Sequence, residues 1–209
     1  MLSSSRRSRA SPPRSSLLSN RAQLETSVSS PSLTDGVVTL RPWQAGDVDA
    51  LIDAIDGDPE ITAWLELIPQ PYGEREARAW ISAAASMWRD GTASTFAVVA
   101  DGRVVGGCGV NWIDREQGVG DVGYWARSDA RGSGYVTRAV LIAARWAFDQ
   151  GCERLQLRAD TENEASLRVA ERAGFTREGV QRAARYNPRL GRRMDFVVFS
   201  LLPGELPAS

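Results

Sequence analysis

Two glycines stand one residue apart at the mouth of an apolar, helix-forming run. The stretch is ARGSGYVTRAV, with Gly132 and Gly134 ahead of a segment that reaches Phe148. A helix N-terminus presents unpaired N–H groups and about half a positive charge. Glycines there leave no Cβ to hold an anion away from the backbone. Arg131 adds a guanidinium able to make a charge-assisted hydrogen bond. The chemistry fits a phosphate or pyrophosphate. The same spacing also fits a plain tight turn, and Gly-x-Gly alone does not choose. The stretch is not a P-loop, because no Gly-Lys-Ser/Thr follows. Nor is it a dinucleotide fingerprint, because Thr137 stands where the third glycine would fall.

Other chemistries are excluded by composition. The 209 residues include no histidine, which removes histidine general bases, Ser-His-Asp triads and most zinc sites. Cys108 and Cys152 lie far apart with no Cys-x-x-Cys, and read as small buried hydrophobes in a reducing compartment. All 25 basic residues are arginine, and a net charge of −1 gives no global field for nucleic acid. No apolar run approaches the ~20 residues that cross a bilayer.

The elements that must hold the glycines can be read from periodicity. Residues 1–31 are rich in Ser, Arg and Pro, with five arginines against one glutamate, and are expected to be a disordered extension. The ordered domain is expected over 36–203, with a short tail at 204–209. A strand is expected at 37–43, and a helix from an Asp47 N-cap through Val48, Leu51, Ile52 and Ile55 to about Leu65. A second helix spans 73–91, with Ala77, Trp80, Ile81 and Ala84 as its stripe. Strands follow at 94–100, 104–113 and 119–126, then the helix after Gly134. A strand at 154–160, a helix at 163–174 and two strands near 177–185 and 194–202 complete the chain. Trp80, Trp88 and Trp146 fall on helix stripes and read as core. The fold class is α+β.

Taken in order, several stretches are similar to the GNAT acetyltransferase superfamily, and within it to the RimJ/RimL-like branch. They are VVTLRPW, DPEITAWL, VVGGCGV, VGYWA, ARGSGYVTRAV with WAF, NEASLRVAERAGF, and EGVQRAARYN with GRRMDFVVFSLL. They run collinearly from about 37 to 202. The resemblance implies a single domain with a mixed, mostly antiparallel central sheet, flanked by about four helices and splayed between the fourth and fifth strands. It implies acetyl-CoA as cosubstrate, no metal, and acetyl transfer to a primary amine: a protein N-terminus, ribosomal proteins included, or a small amine or antibiotic.

The resemblance also implies site residues. Arg131, Gly132, Ser133, Gly134, Tyr135, Val136 and Thr137 would seat the pyrophosphate, with Val136 departing from the usual Gly or Ala. The backbone of Tyr124, Trp125 and Ala126 would pair with the pantetheine arm. Asn163 would bond that arm, and Ser166 would supply a proton to the leaving thiolate. Their three-residue spacing puts both on one helix face, although an Asn and a Ser at a helix start also serve as caps. The tyrosine and glutamate used as acid or base in other branches are replaced by Ala170 and Arg158. Asp121 and Glu66 remain as acids able to bind an amine or relay its proton. The resemblance sets Trp64 and Trp112 near segments that border the acceptor groove, with core packing as the other reading of each. The expected partners are acetyl-CoA and an amine acceptor, without membrane or nucleic acid, for a cytoplasmic monomer or homodimer. Two alternatives stand beside transfer. One is a catalytically weak CoA-binding regulator, motivated by Val136 and by the lack of a base assigned by the motifs. The other is an RNA- or ribosome-binding module using the basic extension and the arginines at 182–193.

Overall fold

The computed structural model describes residues 31–207, and the structural statements here concern those residues. The extension expected over 1–31 lies outside them but for Pro31. The chain runs β1 (Leu33–Thr34), β2 (Thr39–Arg41), α1 (Val48–Ile55), α2 (Pro59–Trp64), α3 (Glu74–Asp90), β3 (Ser94–Ala100), β4 (Arg103–Asp114), β5 (Val119–Ala126), α4 (Tyr135–Asp149), β6 (Arg154–Asp160), α5 (Glu164–Arg172), β7 (Thr176–Asn187) and β8 (Arg192–Leu201). The strands form one sheet in the order β1-β2-β3-β4-β5-β6-β8-β7. Only β5 and β6 pair in parallel; the other neighbours are antiparallel. The α+β class and the mixed sheet are as expected.

The helix expected from Asp47 to about Leu65 is two helices, which makes five rather than about four. The break has a local cause. Asp58 precedes Pro59 and is extended, with φ −127° and ψ 94°, because the proline ring excludes helical backbone before it. Its side chain then caps α2, and Pro59 opens that helix without losing a needed N–H. Asp47 does not cap α1 through its side chain. Its carboxylate instead takes both terminal nitrogens of Arg41, at 2.7 Å each, and the N–H of Gln44 at 2.8 Å.

Helices cover both faces of the sheet. Along β3, Phe96 belongs to the buried cluster that gathers α4, α5 and the C-terminal strands, while Ala97 joins α1, α3 and Trp43. That alternation is the two-residue period of a strand buried on both faces. Four alanines of α4, at 139, 143, 144 and 147, are fully buried, and their small side chains let the helix lie close to the sheet. Trp88, Phe96 and Trp146 form an aromatic group with ring centroids 5.1–5.6 Å apart, and the Trp88 indole N–H donates to the Thr95 carbonyl. Trp80 is partly buried against the second cluster.

The sheet opens between the strands expected at 119–126 and 154–160, which are β5 and β6 rather than the fourth and fifth because the short β1 precedes them. The β5–β6 ladder holds only Val119↔Arg154, Gly120↔Leu155 and Asp121↔Gln156. Beyond Asp121 the strands part, so Val122–Ala126 keep β4 on one side and face a wedge on the other.

Candidate active site

The wedge holds a cavity of about 330 Å³. One wall is the freed end of β5, and the opposite wall is β6 with the start of α5. The loop before α4 and the neighbouring helix α2 complete the lining. The cavity therefore joins the expected cofactor residues to part of the expected acceptor groove.

At the loop, Gly132 and Gly134 both have φ +77°, the left-handed region that disfavours a side chain. Gly134 is the N-cap of α4, and no side chain caps this helix. Nothing lies within 4 Å of where a Cβ would stand on either glycine. Bare backbone thus faces open space at the positive end of a 15-residue helix, a geometry that fits a phosphate group. Gly132, Gly134, Tyr135, Val136 and Thr137 line the cavity; Ser133 is exposed outside the lining. The valine also packs against the main core cluster, which gives its branched side chain an apolar place. The Tyr135 hydroxyl is turned to Asp101, 3.0 Å away. Arg131 lines the cavity, but its guanidinium is engaged by two carboxylates, Asp58 and Glu60.

At the wedge, Tyr124, Trp125 and Ala126 all line the cavity. Trp125 is steadied by stacking on Trp43, with centroids 6.1 Å apart and planes 13° from parallel. The Tyr124 side chain crosses to α5, where its hydroxyl meets both the carbonyl and the hydroxyl of Ser166. Burial raises the Tyr124 phenol well above its ordinary value, against the opposing effect of the Ser166 hydrogen bond, so it stays protonated. Neighbouring Cys108 is pushed up to about 12 by burial and is no nucleophile. Asn163 is the N-cap of α5, and its Oδ1 accepts from the Ser166 N–H at 3.0 Å. Both residues line the cavity as well, so capping and cavity exposure coexist.

The carboxylates are distributed differently from expectation. Asp121 lies in the paired part of β5, outside the lining, and accepts from Gln156 at 3.0 Å and Arg158 at 3.2 Å. Glu66 also lies outside the lining and pairs with Arg185 at 2.7 Å. Trp64 lines the cavity, whereas Trp112 stands half exposed on β4, away from it. Two carboxylates do reach the cavity, Glu60 and Asp160. Glu60 pairs with Arg131 at 2.6 Å. Asp160, only 3% exposed, takes Arg192 through both oxygens, at 3.0 and 3.1 Å, and the Glu162 N–H at 2.9 Å. Asp160, Met194 and Phe196 were not singled out from sequence. The available signal was the position of Asp160 at the end of the strand expected to splay. Among the described residues, no group of three or more His, Cys, Asp or Glu is placed to hold a metal ion.

Four of the arginines at 182–193 bond within the chain. Arg185 pairs with Glu66 and Arg192 with Asp160 and Glu162. Arg193 donates to the Ala183 carbonyl, and Arg189 donates to the carbonyls of Thr62, Leu65 and Ile68. The β7–β8 turn is thereby fastened to the C-terminal end of α2, with fully buried Asn187 donating to the Ala63 carbonyl at 2.7 Å. Among the described residues, no helix is long and apolar enough to cross a membrane.

Residues 38–176 match the acetyltransferase (GNAT) domain family. The chain is similar to p20 of Bacillus licheniformis, an uncharacterized N-acetyltransferase, at 29% identity over 171 residues, covering 80% of this chain and 94% of that protein. It superposes on Mycobacterium smegmatis RimJ in complex with CoA-disulfide with a TM-score of 0.75 and 22% identity, over 86% of this chain and 90% of that one. The ribosomal-protein-S5-alanine acetyltransferase from Vibrio fischeri gives a TM-score of 0.73 at 20% identity, over 85% and 100%. At these identities the two structural likenesses establish the fold.

Proposed function

The chain belongs to the GNAT acetyltransferase family, and from that premise we propose that it moves the acetyl group of acetyl-CoA to a primary amine, with a protein N-terminus as the favoured acceptor. The observation that carries this reading is one cavity shared by the bare N-terminus of α4, the freed end of β5 and the Tyr124–Ser166 pair. Bound acetyl-CoA supplies an activated acetyl group as a thioester. The amides from Gly132 to Thr137 receive its pyrophosphate, and the backbone of Tyr124–Ala126 aligns its arm as an added strand would. An N–H at this end of β5 is also the simplest stabiliser for the carbonyl oxygen under attack.

Ser166 gives the departing thiolate its proton and regains one from water, and Asn163 fixes the turn that presents it. Tyr124 acts through Ser166 as a positioning residue, oriented by its bonds to that residue.

The acceptor's own proton goes to water. Both carboxylates that line the cavity are taken up by arginines, Glu60 by Arg131 and Asp160 by Arg192, so neither stands free to receive it. The acceptor must then arrive neutral. At pH 7.5 about a quarter of an α-amine is neutral, against roughly one in a thousand lysine side chains. That difference favours a protein N-terminus, the class to which the Vibrio fischeri relative's name points. Two free, buried cysteines support a reducing, cytoplasmic setting.

The test is an acceptor screen on purified protein. Thiol release from acetyl-CoA is followed over peptides with free N-termini, N-blocked lysine peptides and small amines, and mass spectrometry locates the acetyl group. Acetylation at α-amines is expected. CoA binding without thiol release for any acceptor would replace transfer with a CoA-binding role.

A further inference from the structure

Arg131 occupies the first position of the glycine loop, where a cation toward a pyrophosphate would be expected. Its guanidinium goes elsewhere. One terminal nitrogen donates to Asp58 Oδ2, and the other lies 2.6 Å from Glu60 Oε2. These carboxylates belong to the start of α2, more than 70 residues earlier in the chain. Asp58 is 6% exposed, and its other oxygen caps α2, accepting from the N–H groups of Glu60 at 3.0 Å and Ile61 at 3.3 Å.

Helix α2 is six residues long, too short to persist alone. It carries Ile61 and Trp64, with Leu65 just beyond, to the cavity. Its C-terminal end is held by Asn187 and Arg189 from the β7–β8 turn. Its N-terminal end is held by Arg131. Moving that guanidinium to a phosphate would leave Asp58 buried without its cation, a costly state. The bare amides at Gly132–Thr137 can take the phosphate without any such loss.

We propose that Arg131 is the positioning residue of the acceptor wall: it ties α2 to the cofactor loop and is not itself a pyrophosphate ligand. This inference rests on the loop being the cofactor seat. It makes the cofactor loop and the acceptor wall one mechanical unit, so that disturbing α2 from the loop side changes how the acceptor is held and leaves CoA binding intact.

The experiment compares the parent protein with R131Q, R131K and D58N, using coenzyme A as the probe. Calorimetry gives CoA affinity, and amide hydrogen exchange is followed over residues 59–65 and over β4. In R131Q, CoA affinity should stay within about threefold of the parent. Exchange at 59–65 should speed up at least tenfold while β4 stays unchanged, which a general loss of stability would not do. D58N retains the capping oxygen but loses the charge, and should reproduce this pattern if R131Q folds poorly. R131K should bind CoA like the parent yet protect α2 incompletely, because a compact ammonium lacks the planar fork that spans both carboxylates. A tenfold or greater loss of CoA affinity in R131Q, restored by R131K, would overturn the inference. So would unchanged exchange at 59–65 in both R131Q and D58N. Absence of CoA binding by the parent protein would overturn the cofactor-seat reading itself, and the inference with it.

Discussion

The hydroxyl of Tyr124 lies 2.8 Å from the hydroxyl of Ser166 and 3.0 Å from the Ser166 carbonyl oxygen. A phenol has one proton. When Tyr124 donates it to the carbonyl, its oxygen can still accept from Ser166; when it turns to the serine hydroxyl, the serine proton is released toward the cavity. The pair joins β5, whose end lines the proposed cofactor arm, to the first turn of α5. Its two settings allow a proton to be held or presented without moving either backbone.

Ser166→Ala should lower kcat by roughly a hundredfold, the scale of a lost general acid, with little change in acetyl-CoA affinity. Tyr124→Phe should lower kcat by about tenfold, and the double variant should be no slower than Ser166→Ala, because the tyrosine acts through the serine. Thiol-release kinetics on the acceptor found by screening would read all three. Unchanged turnover in Ser166→Ala removes the acid role. Additive losses in the double variant remove the dependence of Tyr124 on Ser166.

What could be read from sequence divides by the range of the signal. The expected strands at 119–126 and 154–160 match β5 and β6 because each follows a glycine turn and carries its own local pattern. The glycine loop and the Asn163–Ser166 helix start were legible for the same reason. The Asp58–Pro59 break was local too, and the apolar spacing on either side masked it. The direction of Arg131 was not legible, since its partners lie more than 70 residues away. Asp160 and Phe196 reach the cavity because they face each other across β6 and β8. That register is set by tertiary pairing, with no local mark. The same holds for the arginines at 185–193, which resemble a surface run until α2 is placed beneath them.

Gly134→Asp should abolish measurable CoA binding. It puts a negative charge on the anion seat and a Cβ at φ +77°. Gly134→Ala separates the two effects. The space around the position is open, so only backbone strain of about 1 kcal/mol is added. CoA affinity should then fall by no more than about tenfold. Calorimetric titration with CoA gives both values. Retained affinity in Gly134→Asp would place the pyrophosphate elsewhere.

Asn187→Ala should cost about 2–3 kcal/mol of stability. The side chain is fully buried, donates to the Ala63 carbonyl, and accepts from the N–H groups of Arg189 and Leu190. Truncation leaves buried polar groups without partners. Asn187→Asp keeps the acceptor but brings a carboxylate against the Ala63 carbonyl, and should be at least as destabilising. Denaturant unfolding of the three proteins checks this. A loss below 0.5 kcal/mol in both variants would mean that the turn and α2 are not coupled through this residue.

Asp47 should make stability depend on pH on the acid side. Burial alone would raise its carboxyl, but hydrogen bonds from Arg41 and the Gln44 N–H outweigh it, and the group sits below its ordinary value of 3.8. A depressed folded-state pKa contributes stability that is fully present above the ordinary value and is lost as pH falls through the folded one. Asp47→Asn removes that contribution, about 2 kcal/mol for hydrogen bonds to a buried charge. For a chain of this size that lowers Tm by roughly 4–8 °C at neutral pH. The gap between the two proteins should be constant from about pH 8 to pH 5, then narrow as pH drops below about 4. Thermal unfolding by circular dichroism across that range reads it directly. A gap that persists unchanged to pH 3 would show that Asp47 contributes through packing and neutral hydrogen bonds, with no part played by its charge.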